Sequence, residues 1–184
     1  MRARNSSVHY GAVAMALHWV VLALVLLSWA FGQFGDELPR GAARAAGLFV
    51  HISTGLAIVV LVIARLAWRL VDPPPGGEAS FVGKWGDWSS RAVHYALYAL
   101  LVIIPVVGIA VQFARGKALP VFGLFEIASP WQADRAFAHD LKEVHETLAN
   151  GMMILIGLHA AAALVHHFVL GDRTLARMLP GPAR

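Results

Sequence analysis

The chain has 184 residues, of which 58% are hydrophobic and only 14% charged, a balance too apolar for an ordinary soluble domain of this size. It contains no cysteine, which excludes disulfides, thiolate-ligated iron–sulfur clusters and the C-x-x-C-H attachment of a covalently held haem. The net charge of +4 comes from basic residues at the ends of apolar segments and not from one run, which points to a membrane surface and away from nucleic acid.

Four segments, about 10–32, 45–70, 91–113 and 143–169, are apolar over the roughly 20 helical residues needed to cross a bilayer. They occupy so much of the chain that residues 1–184 are expected to form a single all-α transmembrane four-helix bundle. The first segment follows the basic stretch MRARNSS, but its length and the lack of a small-residue cleavage site predict a retained helix. Phe34 to Ala43 reads as a short polar turn. The second span is stopped by Asp72 to Gly77, where Pro73-Pro74-Pro75 and Gly76-Gly77 open a linker. Pro105 is expected to kink the third. Residues 114–140, rich in Trp, Phe, Gly and Pro, form the longest connection and are expected to fold back over the mouth of the bundle.

With the N-terminus inside, Arg2, Arg4, Arg65, Arg69, Lys84, Arg91, Arg173, Arg177 and Arg184 share one side and Arg40, Arg44, Arg115, Lys117, Arg135 and Lys142 the other. The bias places both termini in the cytoplasm.

Ionisable side chains within apolar spans mark function by default, and histidine recurs here: His18, His51, His94, His145, His159, His166 and His167. His145 and His159 lie fourteen residues apart, which returns them to within about 40° of one helix face, roughly 21 Å apart along the axis. In an up-and-down bundle His51 comes level with His145, and His18 with His159. Each level then holds two imidazoles on different helices, the ligand set of a low-spin bis-histidine b haem. Gly55, Gly151 and Gly157 near these ligands would let a flat macrocycle approach the backbone, or serve helix packing. The competing reading of any one histidine is a helix-bridging or water-cavity residue. Zinc or copper fits less well, because pairs so far apart make no four-ligand site and no cysteine or intramembrane carboxylate completes either.

The segment Lys142 to His167, KEVHETLANGMMILIGLHAAAALVHH, resembles the last helix of the bacterial cytochrome b561 family, in particular its small di-haem superoxide oxidases. The resemblance extends through Leu17-His18-Trp19, HISTG at His51 to Gly55, ARLAWRL at Ala64 to Leu70, IIPVVGI at Ile103 to Ile109 and RGKALPVFGL at Arg115 to Leu124. It implies axial ligands at His18, His51, His145 and His159, superoxide oxidised to O2 at the outer face, and ubiquinone reduced as electron acceptor, in a multi-pass protein of the bacterial inner membrane. Membrane lipids are the expected surroundings, with no nucleic acid and no obligate protein partner.

Further residues take roles within that expectation. Arg65, fourteen residues beyond His51, is expected level with His18 and His159, pairing with a haem propionate or reaching the cytoplasmic interface. His166, one heptad beyond His159, is placed to hydrogen-bond a quinone; Trp19, Arg91 and His94 are secondary candidates for that pocket, Trp19 also for an aromatic belt and His94 for an alternative axial ligand. Arg115, Lys117 and Lys142, with Arg44, are expected to steer superoxide, or are ordinary loop charges. Two alternatives remain at this level: a cytochrome b subunit linking the quinone pool to a dehydrogenase or hydrogenase, and a non-enzymatic module whose histidines bridge helices.

Overall fold

The computed structural model describes residues 2–76 and 83–179. Met1, 77–82 and 180–184 lie outside it, and with them Gly77 of the linker and Arg184 of the basic inventory. Four helices are long and apolar enough to cross a membrane: α1 (Ala12–Phe34), α2 (Ala42–Val71), α3 (Lys84–Ala114) and α4 (Arg135–Phe168). This is the expected all-α membrane bundle. α1 packs along α2 and α3 along α4, with a lesser contact of α2 on α3, so the molecule is two helical hairpins facing each other.

The local signals explain where the helices stop. Asp72 N–H donates to Trp68 O at 2.8 Å to close the last turn of α2, and Pro73 to Pro75 cannot continue it. Asp134 caps α4, its carboxylate accepting from Phe137 N–H at 3.0 Å. Pro105 lies inside α3 without ending it.

Helices α3 and α4 begin at Lys84 and Arg135, not at 91 and 143. Apolar length reports only the part of a helix that needs lipid; the polar first turns continue the helix beyond it, that of α4 capped by Asp134 and that of α3 starting at Gly83 without a side-chain cap. The connection after α3 holds an antiparallel hairpin, β1 (Leu119–Val121) and β2 (Phe125–Ile127), pairing Leu119 with Ile127 and Val121 with Phe125. Three residues, Phe122 to Leu124, join the paired Val121 and Phe125; Leu124 N–H donates to Val121 O at 3.0 Å, and the two residues within that turn, Phe122 (φ 52°) and Gly123 (φ 72°), both take positive φ.

The buried core is a small apolar cluster of Val21 and Val25 from α1, Ile58 and Val62 from α2, Leu101 and Ile104 from α3 and Met152 from α4. Along α1, α2 and α4 it falls between the histidine that begins and the residue that ends each functional stretch: after His18, between His51 and Arg65, between His145 and His159. Large apolar side chains elsewhere face outward, among them Val60, Ile63, Ile154 and Leu158, each about 60% exposed or more. Such a surface is untenable in water and is ordinary against lipid.

At one end the N-terminal segment, the end of α2 and the C-terminal segment are tied together. Asn5 N–H donates to Asp72 Oδ2 at 2.9 Å, and the buried Arg177 donates to Val8 O and Gly76 O, both at 2.8 Å.

Candidate functional site

The four histidines on the ligand positions come together in two pairs on opposite sides of the core. His51 of α2 faces His145 of α4 with ring centroids 5.9 Å apart and planes at 78°. His18 of α1 faces His159 of α4 at 6.5 Å and 69°. An iron bonded to two imidazole nitrogens at about 2 Å each would hold the ring centroids roughly 6 Å apart, so both pairs have the spacing of a bis-histidine haem site.

The pair of His51 and His145 is fixed from behind. His51 Nδ1 donates to Ser28 O at 2.8 Å and His145 Nδ1 to Ile104 O at 3.0 Å, leaving Nε2 of each ring as the nitrogen with a lone pair to offer. Metal-binding histidines are oriented in this way. The pair lies in a cavity of about 290 Å³ between the two hairpins, whose mouth is lined by Arg44, Arg115 and Lys142 together with Asp36 and Glu146. Lys142 is ion-paired with Glu146 at 2.6 Å, and Arg44 donates to Leu38 O and Asp36 O. Lys117 does not join them: it lines a separate surface pocket beside Glu126 and Pro120, because the chain turns at Gly116 (φ 67°) towards the hairpin.

At the level of His18 and His159 three imidazoles meet. His94 stands 5.1 Å from His159, at 81°, too close for an iron between those two rings, and its Nδ1 donates to Ser90 O one turn back at 2.6 Å. The buried His18 Nδ1 has no hydrogen-bond partner among the described residues. Arg65 has its guanidinium 5.5 Å from the centre of the Tyr98 ring. Among the described residues no carboxylate is within ion-pair distance of it, which suits an arginine kept for an anionic ligand.

Residues 9–181 match the prokaryotic cytochrome b561 family. The chain belongs to that family. It is 35% identical over 175 residues to the probable superoxide oxidase CybB of Yersinia pestis, covering 93% of this chain and 96% of that one. It is 33% identical to cytochrome b561 homolog 2 of Escherichia coli, covering 95% and 93%, and 28% identical to cytochrome b562 of Cereibacter sphaeroides, covering 92% and 94%. A cytochrome b561 is a multi-pass membrane cytochrome carrying b-type haem, and the imidazole pairs are donors of the kind that haem needs.

Most of the remaining candidates of this b561 protein belong to the end where His18 and His159 lie. Trp19 spends its indole N–H on Met178 O at 2.8 Å, so it ties α1 to the C-terminal segment and has no donor left for a quinone. Arg91 is exposed on the first part of α3. The ring of His167 packs edge-on against Phe168 at 4.8 Å. His166 is joined to Asp172, 2.5 Å away, a partner beyond the end of α4 that helical periodicity did not reach. Gly55, Gly151 and Gly157 have open space where a Cβ would stand, and Gly55 lines the cavity that holds His51 and His145. The glycines that meet ligand rings are Gly32 and Gly108, which only the packing of neighbouring helices discloses.

Proposed function

We propose that this cytochrome b561 is a superoxide:ubiquinone oxidoreductase of the bacterial inner membrane, with two b haems ligated by His51 and His145 on the outer side and His18 and His159 on the inner side, and with both termini in the cytoplasm. The observation that carries the proposal is the pair of imidazole sites, each with the ring spacing for one iron, separated by the apolar core. Similarity to a relative named as a probable superoxide oxidase supports the choice of reductant.

The reaction balances as two superoxide anions, one ubiquinone and two protons giving two O2 and one ubiquinol. The haems supply one-electron storage when bound, one electron each, which suits a one-electron donor and a two-electron acceptor. The chain's own residues do the rest. Arg44 and Arg115 at the cavity mouth attract a small anion, whereas Lys142, neutralised by Glu146, contributes less. The layer of Val25, Ile58, Ile104 and Met152 keeps water out between the two levels. Arg65 offers a charge to a propionate, and His166, below His159 on the same helix, donates a hydrogen bond or proton to a quinone oxygen.

The test is anaerobic mixing of purified oxidised protein with a superoxide source while following the haem spectrum. Rapid reduction of haem followed by reoxidation on adding ubiquinone is expected. A haem spectrum indifferent to superoxide and responsive only to quinol would overturn the assignment of the reductant.

A further inference from the structure

Both outer imidazoles are seated by the same device. On α1 the carbonyl of Ser28 accepts from His51 Nδ1, and on α3 the carbonyl of Ile104 accepts from His145 Nδ1. In each case the residue one turn later is glycine. A Cβ at Gly32 would stand 3.0 Å from His51 Cε1 and 3.2 Å from its Nδ1; one at Gly108 would stand 3.0 Å and 3.4 Å from the same atoms of His145. A helix carbonyl points towards the amide four residues on, so a ring approaching it from the side must pass the Cβ of that residue. Glycine opens the way.

The two notches share no sequence beyond the glycine, SWAFG in one and IPVVG in the other. They arise because each hairpin lends a carbonyl from its first helix to the histidine on its second. The inner level is built differently: His18 sits on a first helix, and its buried Nδ1 has no acceptor among the described residues.

We infer that Gly32 and Gly108 are positioning residues for the outer haem ligands, and that the paired carbonyl contacts they permit make the outer haem the lower-potential one. An acceptor on Nδ1–H raises the basicity of the opposite ring nitrogen, and a stronger donor favours ferric over ferrous iron. The ordering makes the inward direction proposed above downhill. The inference rests on the ligand assignment given there.

The experiment is potentiometric titration of haem-loaded protein with His18→Ala and His51→Ala variants to assign the components. The haem that survives in His18→Ala is expected to be the lower-potential one and the haem that survives in His51→Ala the higher. Equal or inverted potentials overturn the inference. Gly32→Ala and Gly108→Ala should shift the lower component upward and alter its low-spin electron paramagnetic resonance signal, leaving the higher component unmoved. A haem-loaded glycine variant in which neither changes also overturns it. If an alanine costs the outer haem, the positioning role is supported and the potential order is decided by the two histidine variants. Retention of both haems in either histidine variant would instead show that the ligand assignment has failed.

Discussion

His166 Nδ1 lies 2.5 Å from Asp172 Oδ2, joining the last turn of the fourth span to the segment that follows it. A carboxylate can only accept, so the imidazole donates from Nδ1, and it is the doubly protonated ring that has an Nε2–H to give a quinone oxygen. Carboxylate–imidazole contacts hold a ring in one tautomer and one orientation, which is what a quinone-binding histidine needs if it is to meet a carbonyl oxygen reproducibly.

His166→Ala is accordingly expected to leave both haems in place and their reduction by superoxide unchanged, while slowing reoxidation by a soluble ubiquinone analogue by about 10²-fold, the lower range for loss of a general acid. Stopped-flow reoxidation measures it. An unchanged rate in a fully haem-loaded variant would remove His166 from the quinone site and leave it as an anchor of α4.

Asp172 also sets a pH dependence. Partial burial pushes its carboxyl up, but the hydrogen bond from His166 and those from Thr174, including the backbone N–H at 2.8 Å, outweigh it and hold the group below the usual carboxylate range. A folded value below the unfolded one stabilises the C-terminal turn in full above the ordinary value of 3.8, and that stabilisation is lost as the pH falls from there through the folded value. Amide exchange across 172–179 should be flat down to that range and rise beneath it. Asp172→Asn should show the faster exchange at neutral pH with no further acid step.

The ligand assignment predicts a simple count. His51→Ala or His145→Ala should remove one haem, His18→Ala or His159→Ala the other, and His94→Ala neither, because its ring is too near His159 to share an iron with it. Haem-to-protein ratios by pyridine haemochrome should fall from two to near one in each of the first four variants. Loss of the same haem from all four would overturn the pairing.

Which of these features the sequence discloses follows from the length scale of each. Apolar length marks the four spans, and helical periodicity aligns His145 with His159, because both depend on residues within one helix. The polar first turns of α3 and α4 escape an apolar count, and the hairpin at 119–127 depends on a turn conformation at Phe122 and Gly123 that no alternation of apolar residues announces. The ligand glycines are the clearest case. Gly55, one turn from His51 on its own helix, lines the cavity that holds the ring, as its place in the chain suggests, whereas Gly32 and Gly108 lie on other helices and only an added Cβ shows how close they stand to the rings. Their partners are backbone carbonyls, which carry no residue signature at all.

The outer mouth yields the last prediction. Arg44, Arg115 and Lys142 line the cavity that holds His51 and His145, but Asp36 and Glu146 line it too, and Lys142 is paired with Glu146. If the mouth attracts superoxide, the field must come from the two arginines, since a close ion pair has little reach. Screening at about 8 Å under physiological salt shortens the range of exposed charges, so the second-order rate of haem reduction by superoxide should fall as ionic strength rises. Arg115→Gln should lower that rate several-fold at low salt and lose most of its effect at high salt, with haem content unchanged. Lys117→Gln, in its separate pocket beside Glu126, should leave the rate where it was. Salt-indifferent reduction in the wild type, or equal effects of the two substitutions, would mean that the anion reaches the outer site by diffusion alone.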